Sequence, residues 1–176
     1  MTGTPETTET RWLTKDEQEA WRAFVVGNAM LHERLGHELE AATGLTMADY
    51  ELMVQLSESE GRRMRMSNLA DRSLLSRSRL SHAVGRFEAR GWVRREQCAD
   101  DRRGAWAVLT DEGFAVLEAA APLHVAGVRE HLFDQLGPED VEALARISRA
   151  IVAHLCTLEG ADLERALLVM GGPAPA

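Results

Sequence analysis

The sequence predicts a mainly α-helical fold with one small β-hairpin. Two observations predict this class. Apolar residues recur at helical spacing before residue 60 and after residue 110, and two short strand-like stretches flank a polar segment between them. With 176 residues, of which 45% are apolar and 27% charged, the chain is long enough for one domain with a sizeable core.

Two helices are expected in the first third of the chain, after a leader over residues 1–10 that suits disorder. Helical periodicity runs from Trp12 to about Ala42, and Thr14 with Glu17 three residues later forms a capping-box pattern. We therefore expect the first helix to begin near Thr14. A second helix is expected from about Thr46 to Leu56.

A short strand and two further helices are expected next. Residues 62–66 alternate in polarity and suit a small edge strand. Ser67 suits the N-cap of a third helix, from Leu69 to Ser73 or Leu74, and Ser76 suits the N-cap of a fourth. The fourth helix is expected to end near Arg90, because Gly91 suits a left-handed terminator.

A hairpin follows the fourth helix. Residues 92–97 and 106–109 suit two strands, joined by a polar loop over 98–104 that is too long for a tight turn. Two long helices come after it. Thr110 suits the cap of a helix to roughly Phe133, kinked or locally broken at Pro122, and the last helix is expected from Pro138 to about Leu158. One more helical piece within residues 161–170 would precede a loose tail.

Charge is segregated along the chain, although the formal net charge is -8. Residues 61–106 hold 12 Arg against five acidic residues, and the remainder holds 8 basic and 23 acidic residues. Phosphate attraction depends on the local lobe and not on the average, so a basic lobe on an acidic body suits a nucleic-acid binder. A solvated Arg-rich surface is the alternative.

The fourth helix carries the residues that suit DNA recognition. At 100° per residue Leu80, Val84 and Phe87 form its buried stripe. Four side chains point away from that stripe and suit the major groove, where Arg grips guanine and Ser or His reaches base edges or phosphates: Ser78, Arg79, His82 and Arg86. Arg77 lies to one side and suits a phosphate contact.

The polar segment of the hairpin supplies a second candidate contact. Arg102 and Arg103 suit a narrow minor groove, where the negative potential is enhanced. Asp101 suits either a salt bridge that braces one of these arginines or a turn position. A short helix, a turn, an Arg- and Ser-rich helix and a basic hairpin together form the pattern of a winged helix-turn-helix.

At these residues the chain resembles the multiple-antibiotic-resistance regulator (MarR) family. The resemblance rests on the order and spacing of five segments and covers roughly residues 15–158: Leu69-Ala70-Asp71-Arg72, Leu75-Ser76-Arg77-Ser78, Arg86 to Gly91, Asp101-Arg102-Arg103-Gly104, and Leu109-Thr110 with Gly113. The chain departs from the family's pattern at Leu74, where a turn Gly is frequent, and at Gly85, where an acidic residue is common.

The resemblance implies an obligate homodimer whose first and last two long helices interleave, with each winged helix reading half of a palindrome. It also implies repression that a small, often aromatic, ligand relieves. A surplus of apolar residues in the terminal helices independently favours a dimer over a monomer with folded-back helices: Trp12, Trp21, Phe24, Val141, Leu144, Ile147, Ile151, Leu155 and Leu158.

The sequence offers one candidate pocket for an aromatic ligand, although such a stripe equally suits ordinary core. Its residues are Trp21, His32, Met47, Tyr50 and Met53. The alternative is a regulator of the same fold that responds to a redox signal through Cys98 or to a metal ion. The histidines are nevertheless badly spaced for one ion, because His32 and His37 diverge on a helix and His124 and His131 lie roughly 10 Å apart along one.

Other functional classes lack their signatures in this sequence. No nucleophile–base motif, phosphate loop or zinc-protease motif is present, so we expect no enzyme, no cofactor and no metal. Two cysteines, Cys98 and Cys156, do not suit a disulfide scaffold. No apolar run approaches the roughly 18 residues of a membrane span, and the start lacks a signal pattern, so we expect a cytoplasmic protein without a membrane partner. A non-enzymatic helical interaction protein remains as an alternative.

The predicted organisation has five parts. They are a disordered leader (1–10), an N-terminal dimerisation helix (11–45), a winged helix-turn-helix DNA-binding lobe (46–110), C-terminal dimerisation helices (111–160) and a tail (161–176). The predicted function is that of a sequence-specific transcriptional regulator which binds double-stranded DNA as a homodimer.

Overall fold

The computed structural model describes residues 10–73, 75–98 and 101–159, and it describes only the backbone of Cys98, residues 101–103 and Glu159. Residues up to Arg34 and residues from Leu35 onward form two compact units. The described elements, in chain order, are α1 (Lys15–Thr43), α2 (Met47–Ser57), β1 (Arg63–Arg65), α3 (Met66–Ser73), α4 (Arg77–Ala89), β2 (Val93–Cys98), β3 (Asp101–Leu109), α5 (Asp111–His131) and α6 (Pro138–Glu159). The predicted fold class, mainly α with a small β-hairpin, is confirmed.

Four helix starts have side-chain caps, of which those at Thr14, Ser76 and Thr110 were predicted from the sequence and that at Thr46 was not. Thr14 and Glu17 form the predicted capping box, because the Thr14 N–H donates to Glu17 Oε2 at 2.7 Å and the Glu17 N–H donates to Thr14 Oγ1 at 3.2 Å. The hydroxyl groups of Thr46, Ser76 and Thr110 accept N–H groups in the first turns of α2, α4 and α5. Each cap satisfies a backbone donor that a helix leaves unpaired at its start.

The sheet contains three antiparallel strands in the order β1-β3-β2. The predicted edge strand is present, with Arg65 opposite Trp106. The predicted polar loop over 98–104 is wrong at residue 98 and at 101–104, where the two strands of the hairpin extend to Cys98 and from Asp101, and residues 99 and 100 lie outside the described residues. The register passes from Gln97 opposite Ala105 to Cys98 opposite Asp101, with an irregularity between Gln97 and Cys98, since polar side chains do not prevent a ladder on an exposed hairpin.

Two further boundaries differ from the sequence prediction. Ser67 lies inside α3 and is not its N-cap, because the helix begins at Met66 directly after β1 and the Ser67 hydroxyl contacts Asn68 Oδ1. Helix α5 ends at His131 and runs through Pro122 without a break. Four predictions lie outside the described residues: the leader over residues 1–9, the third-helix end at Leu74, and the helical piece and the tail within 161–176.

The core lies in the unit that begins at Leu35, among α2, α3, α4, the sheet and the first half of α5. Its fully buried side chains include Leu45, Leu52, Met53, Leu56, Leu69, Leu80, Val84 and Phe87. Burial of each such side chain stabilises the fold by roughly 1.5–3 kcal/mol before conformational entropy is counted. One face of α4 packs against this core, so the opposite face of the helix is exposed to solvent.

A glycine fixes the junction between the hairpin and α5. A Cβ atom at Gly113 would overlap the Trp92 carbonyl oxygen and approach Leu109 Cδ1 at 2.8 Å. The same carbonyl accepts the Thr110 N–H at 2.9 Å, and Gly91 before it adopts a φ of 74°. The entry and exit of the hairpin are therefore joined at one close contact.

No helix in the described ranges is both long and apolar enough to cross a membrane.

Candidate nucleic-acid interface

Helix α4 presents the face that the sequence predicted. Leu80, Ala83, Val84 and Phe87 are buried, whereas the five candidate DNA contacts of this helix are exposed: Arg77, Ser78, Arg79, His82 and Arg86. Ser76 is the N-cap of this helix, and its hydroxyl oxygen accepts the Arg79 N–H at 3.3 Å. The exposed face is therefore displayed from the first turn onward.

Arg77 and Arg79 differ from Arg86 in their surroundings. Among the side chains that the structure describes, no carboxylate lies within ion-pair distance of Arg77 or Arg79. Arg86, by contrast, donates from Nη2 to Asp49 Oδ1 at 2.7 Å. Sequence reasoning missed this partner, because Asp49 lies 37 residues away and helical spacing considers only acids three or four positions away.

The Asp49 carboxylate is almost fully buried, whereas the Arg86 side chain is 57% exposed. A buried carboxylate needs a charge partner or hydrogen bonds, and Arg86 supplies both. Arg86 thus ties α4 to the first turn of α2 while its side chain stays largely exposed.

The hairpin places the predicted wing residues on strand β3. Asp101, Arg102 and Arg103 begin this strand, and their side chains lie outside the described residues, as does the side chain of Cys98 at the end of β2. Bracing by Asp101 and the minor-groove contacts of Arg102 and Arg103 thus remain predictions.

A described arginine on β2 connects the hairpin to α4. Arg95 Nη2 donates to the Ser81 carbonyl oxygen at 3.0 Å and to Ser81 Oγ at 3.3 Å. Arg95 Nε also pairs with Glu88 Oε2 at 3.2 Å. Since Ser81 and Glu88 are two turns apart on α4, Arg95 fixes the hairpin along α4 at two points.

The residues of the predicted ligand pocket belong to the two different units of the chain, and the pocket stays a prediction. Met53 is fully buried in the core, Tyr50 is 6% exposed, and Met47 packs against the same core. Trp21 and His32 lie in the unit that ends at Arg34, and both are exposed. Met53 and Tyr50 are therefore core residues, which is the alternative that the sequence left open for these positions.

A different cavity, of about 270 Å³, lies between the end of α1 and the second half of α5. Its lining includes Leu35, Glu38, Leu39, Leu123, His124 and Glu130. Gly127 is buried and allows α5 to approach the end of α1 closely, because a Cβ there would meet Leu35 Cδ2 at 3.0 Å. A Gly beside Ala residues on a helical face was the sequence signal that could have indicated this wall.

Of two histidines on α5, His124 lines this cavity and His131 contacts Glu38, which lines it. The His131 Nε2 atom lies 3.0 Å from both carboxylate oxygens of Glu38. The His124 ring contacts the Tyr50 ring at a tilt of 44° with centroids 4.7 Å apart, and its Nδ1 is buried with no hydrogen-bond partner among the described residues. Burial lowers the pKa of His124 below its ordinary 6.5, so the neutral ring is favoured.

The fold and the exposed polar face of α4 define the class of winged helix-turn-helix transcriptional regulators. The MarR family model matches residues 43–104. The transcriptional regulator HosA of Escherichia coli O127:H6 is 31% identical over 119 residues, which are 68% of this chain and 84% of HosA. The chain therefore belongs to the MarR family, whose members are transcriptional regulators and not enzymes.

Solved structures show the same relationship. AbsC of Streptomyces coelicolor, a MarR family transcriptional regulator, is 51% identical, with a TM-score of 0.77 over 83% of this chain and 98% of AbsC. Sco3205 of the same organism, solved in complex with DNA, is 46% identical, with a TM-score of 0.78 over 83% of this chain and 92% of Sco3205. The prediction of the family and that of a non-enzyme are confirmed.

Proposed function

We propose that this regulator binds a palindromic double-stranded DNA operator as a homodimer and represses transcription until a small ligand releases it. The observation that carries the proposal is the exposed face of α4, where Arg77 and Arg79 stand without a neutralising carboxylate among the described side chains. Such a face has the donors and the charge that a major groove requires. The DNA complex of the similar Sco3205 supports the proposal.

The residues of α4 divide by the part of DNA that they suit. Ser78, Arg79 and His82 lie on the outward face and suit base edges, with Arg79 suited to guanine O6 and N7. Arg77 suits a phosphate. Arg86 would contact DNA in a fixed orientation, because its hydrogen bond to Asp49 restricts the movement of the guanidinium.

A second copy of this chain is the partner that we propose for the apolar face of α6. Ile147, Ile151 and Leu155 are between 43% and 49% exposed, and Leu158 is 69% exposed. These four recur at helical spacing on one side of α6, and a contiguous stripe of this kind is a feature of a subunit interface. Two-fold symmetry would then present two recognition helices to a palindrome.

The ligand-responsive step is proposed for the cavity at α5 and the end of α1. Its apolar wall from Leu35, Leu39 and Leu123, together with the His124 ring, suits a small aromatic molecule. A redox or metal signal is the alternative effector. In the described part of the chain no group of three or more His, Cys, Asp or Glu side chains is placed to hold a metal ion. Because the proposed site of action is genomic DNA, we expect a cytoplasmic location.

A gel-shift assay with genomic fragments around the protein's own gene, at two salt concentrations, tests the proposed function. We expect a specific fragment to be shifted, with affinity falling steeply as salt rises because phosphate contacts release counterions. Arg103→Ala should make this slope shallower by about one. Failure to shift any fragment specifically at either salt concentration would refute sequence-specific regulation by this chain.

A further inference from the structure

A basic cleft of about 390 Å³ lies between α4 and the sheet. Its polar lining comes from β1, the first turns of α3 and α4, and the hairpin strands: Arg65, Ser67, Arg77, Ser81 and Arg95, with Gly104 at its edge. None of the described residues that line it is acidic. The cleft therefore has the chemistry of an anion site.

Arg65 is held at the cleft by an aromatic ring. It lies opposite Trp106 in the register of β1 and β3, and its guanidinium carbon is 5.5 Å from the centre of the Trp106 ring. Stacking on an indole face restrains a guanidinium without neutralising its charge. Arg63, two residues earlier on the same strand, stacks on the same ring at 4.9 Å but does not line the cleft.

Arg95 has a different role from the other two arginines of the cleft. Its charge is matched by Glu88, and its hydrogen bonds to Ser81 tie β2 to α4. It sets the distance between the hairpin and the recognition helix, so it is a positioning residue. Arg65 and Arg77, which have no carboxylate partner among the described side chains, give the cleft its positive charge.

The geometry of B-form DNA indicates what such a cleft would receive. A protein that places a helix in the major groove and a hairpin in the adjacent minor groove must straddle the sugar-phosphate strand that separates these grooves. In this protein the space between helix and hairpin is the basic cleft. We infer that the cleft is a seat for backbone phosphates of the operator, in which Arg65 and Arg77 bind the phosphodiester oxygens.

This inference rests on the proposed function and adds to it a site that reads no bases. Phosphate contacts fix the register of a protein on the duplex and contribute equally to every sequence. Loss of Arg65 or Arg77 should therefore weaken binding to operator and to unrelated DNA by the same factor, whereas loss of a base contact should weaken binding to the operator alone.

The test is fluorescence anisotropy of the full chain with two labelled duplexes, an operator fragment and a scrambled sequence, over a series of salt concentrations. Arg65→Gln and Arg77→Gln should each reduce the slope of log affinity against log salt by about one on both duplexes, and the double variant by about two. Arg65→Lys restores the charge and should keep the wild-type slope. Arg63→Gln is the matched control and should also keep it.

The inference is overturned if Arg65→Gln and Arg77→Gln keep the wild-type slope, if they weaken only operator binding, or if Arg63→Gln lowers the slope as much. Thermal unfolding of each variant reports on folding. Should loss of the Trp106 stack unfold Arg65→Gln, the exposed Arg77→Gln carries the same test. If the wild type binds both duplexes equally, the proposed sequence specificity is refuted, and the salt slopes of the variants still decide whether the cleft binds phosphates. One that binds neither would refute both.

Discussion

Arg79 and Arg86 lie seven residues apart on the same face of α4, yet a substitution at each would report on different physics. Arg79 has no carboxylate partner in the described part of the chain, so its removal would change DNA binding and leave the stability of the fold unchanged. Removal of Arg86 would leave the buried Asp49 carboxylate without its charge partner, which is destabilising in itself. Arg79 is therefore the residue at which base recognition can be measured without a change in folding.

At the residue scale, His124 should make stability depend on pH. Its folded pKa is lowered below 6.5 by burial, so the unfolded chain binds more protons than the folded chain in the window between these two values. Stability from this residue is fully present above about pH 6.5 and is lost as pH falls through that window. The titratable residues near His124 are Tyr50, whose ring contacts the imidazole, and Glu38 and Glu130, which line the same cavity.

Denaturant unfolding at fixed protein concentration checks this expectation. His124→Phe keeps an aromatic ring against Tyr50 but cannot be protonated. Between about pH 7.5 and pH 5, the wild type should lose more free energy of unfolding than His124→Phe. Equal losses in the two proteins would show that His124 is protonated as easily in the folded chain as in the unfolded chain.

At the element scale, two glycines should respond to alanine in opposite directions. Gly113 has no room, because a Cβ would overlap the Trp92 carbonyl oxygen at the junction of hairpin and α5. Gly113→Ala should therefore destabilise the fold by about 1–3 kcal/mol. Gly85 in α4 has nothing within 4 Å of its Cβ position, so Gly85→Ala should stabilise the helix by about 1 kcal/mol.

Chemical denaturation midpoints of the two variants provide the measurement, and Gly85→Ala serves as the control for adding a methyl group to a helix. A Gly113→Ala protein as stable as wild type would contradict the close contact at Trp92. DNA binding by Gly85→Ala adds a second result, since a methyl group on the exposed face would reduce affinity if the backbone approaches DNA closely there.

The elements were predictable where local chemistry determines them. Thr14, Ser76 and Thr110 marked helix starts because a hydroxyl cap acts within three residues, and the buried stripe of α4 followed from helical spacing. The extended hairpin, the Asp49–Arg86 ion pair and the cavity at His124 were not predictable. Each depends on residues far apart in sequence or on backbone pairing that polar residues neither favour nor forbid.

At the scale of the whole molecule, positive charge and the proposed apolar interface belong to different segments of the chain. The arginines are concentrated between residues 61 and 106, whereas the exposed apolar stripe proposed as the subunit interface lies on α6. A symmetric pair joined through α6 would leave both basic lobes free for DNA, and the acidic remainder would keep the dimer from binding DNA elsewhere.

The dimer should depend on the apolar stripe of α6. Leu155→Glu and Ile151→Glu place a charge on this stripe, and we expect each to sediment as a 19.5 kDa monomer while the wild type sediments at twice that mass. Arg149→Glu is the control, because at 100° per residue it points to the opposite side of α6. Sedimentation of the wild type as a monomer at all concentrations would contradict the proposed interface.

Selection of binding sites from a pool of random duplexes, carried out with the wild type and with Arg79→Ala, tests the central claim most directly. We expect the wild type to enrich an inverted repeat whose half-sites are centred about 10 base pairs, one helical turn, apart. Arg79→Ala should enrich the same repeat with base preference relaxed at one position in each half. Enrichment of no sequence by the wild type, or an unchanged preference in Arg79→Ala, would contradict recognition of DNA by this face of α4.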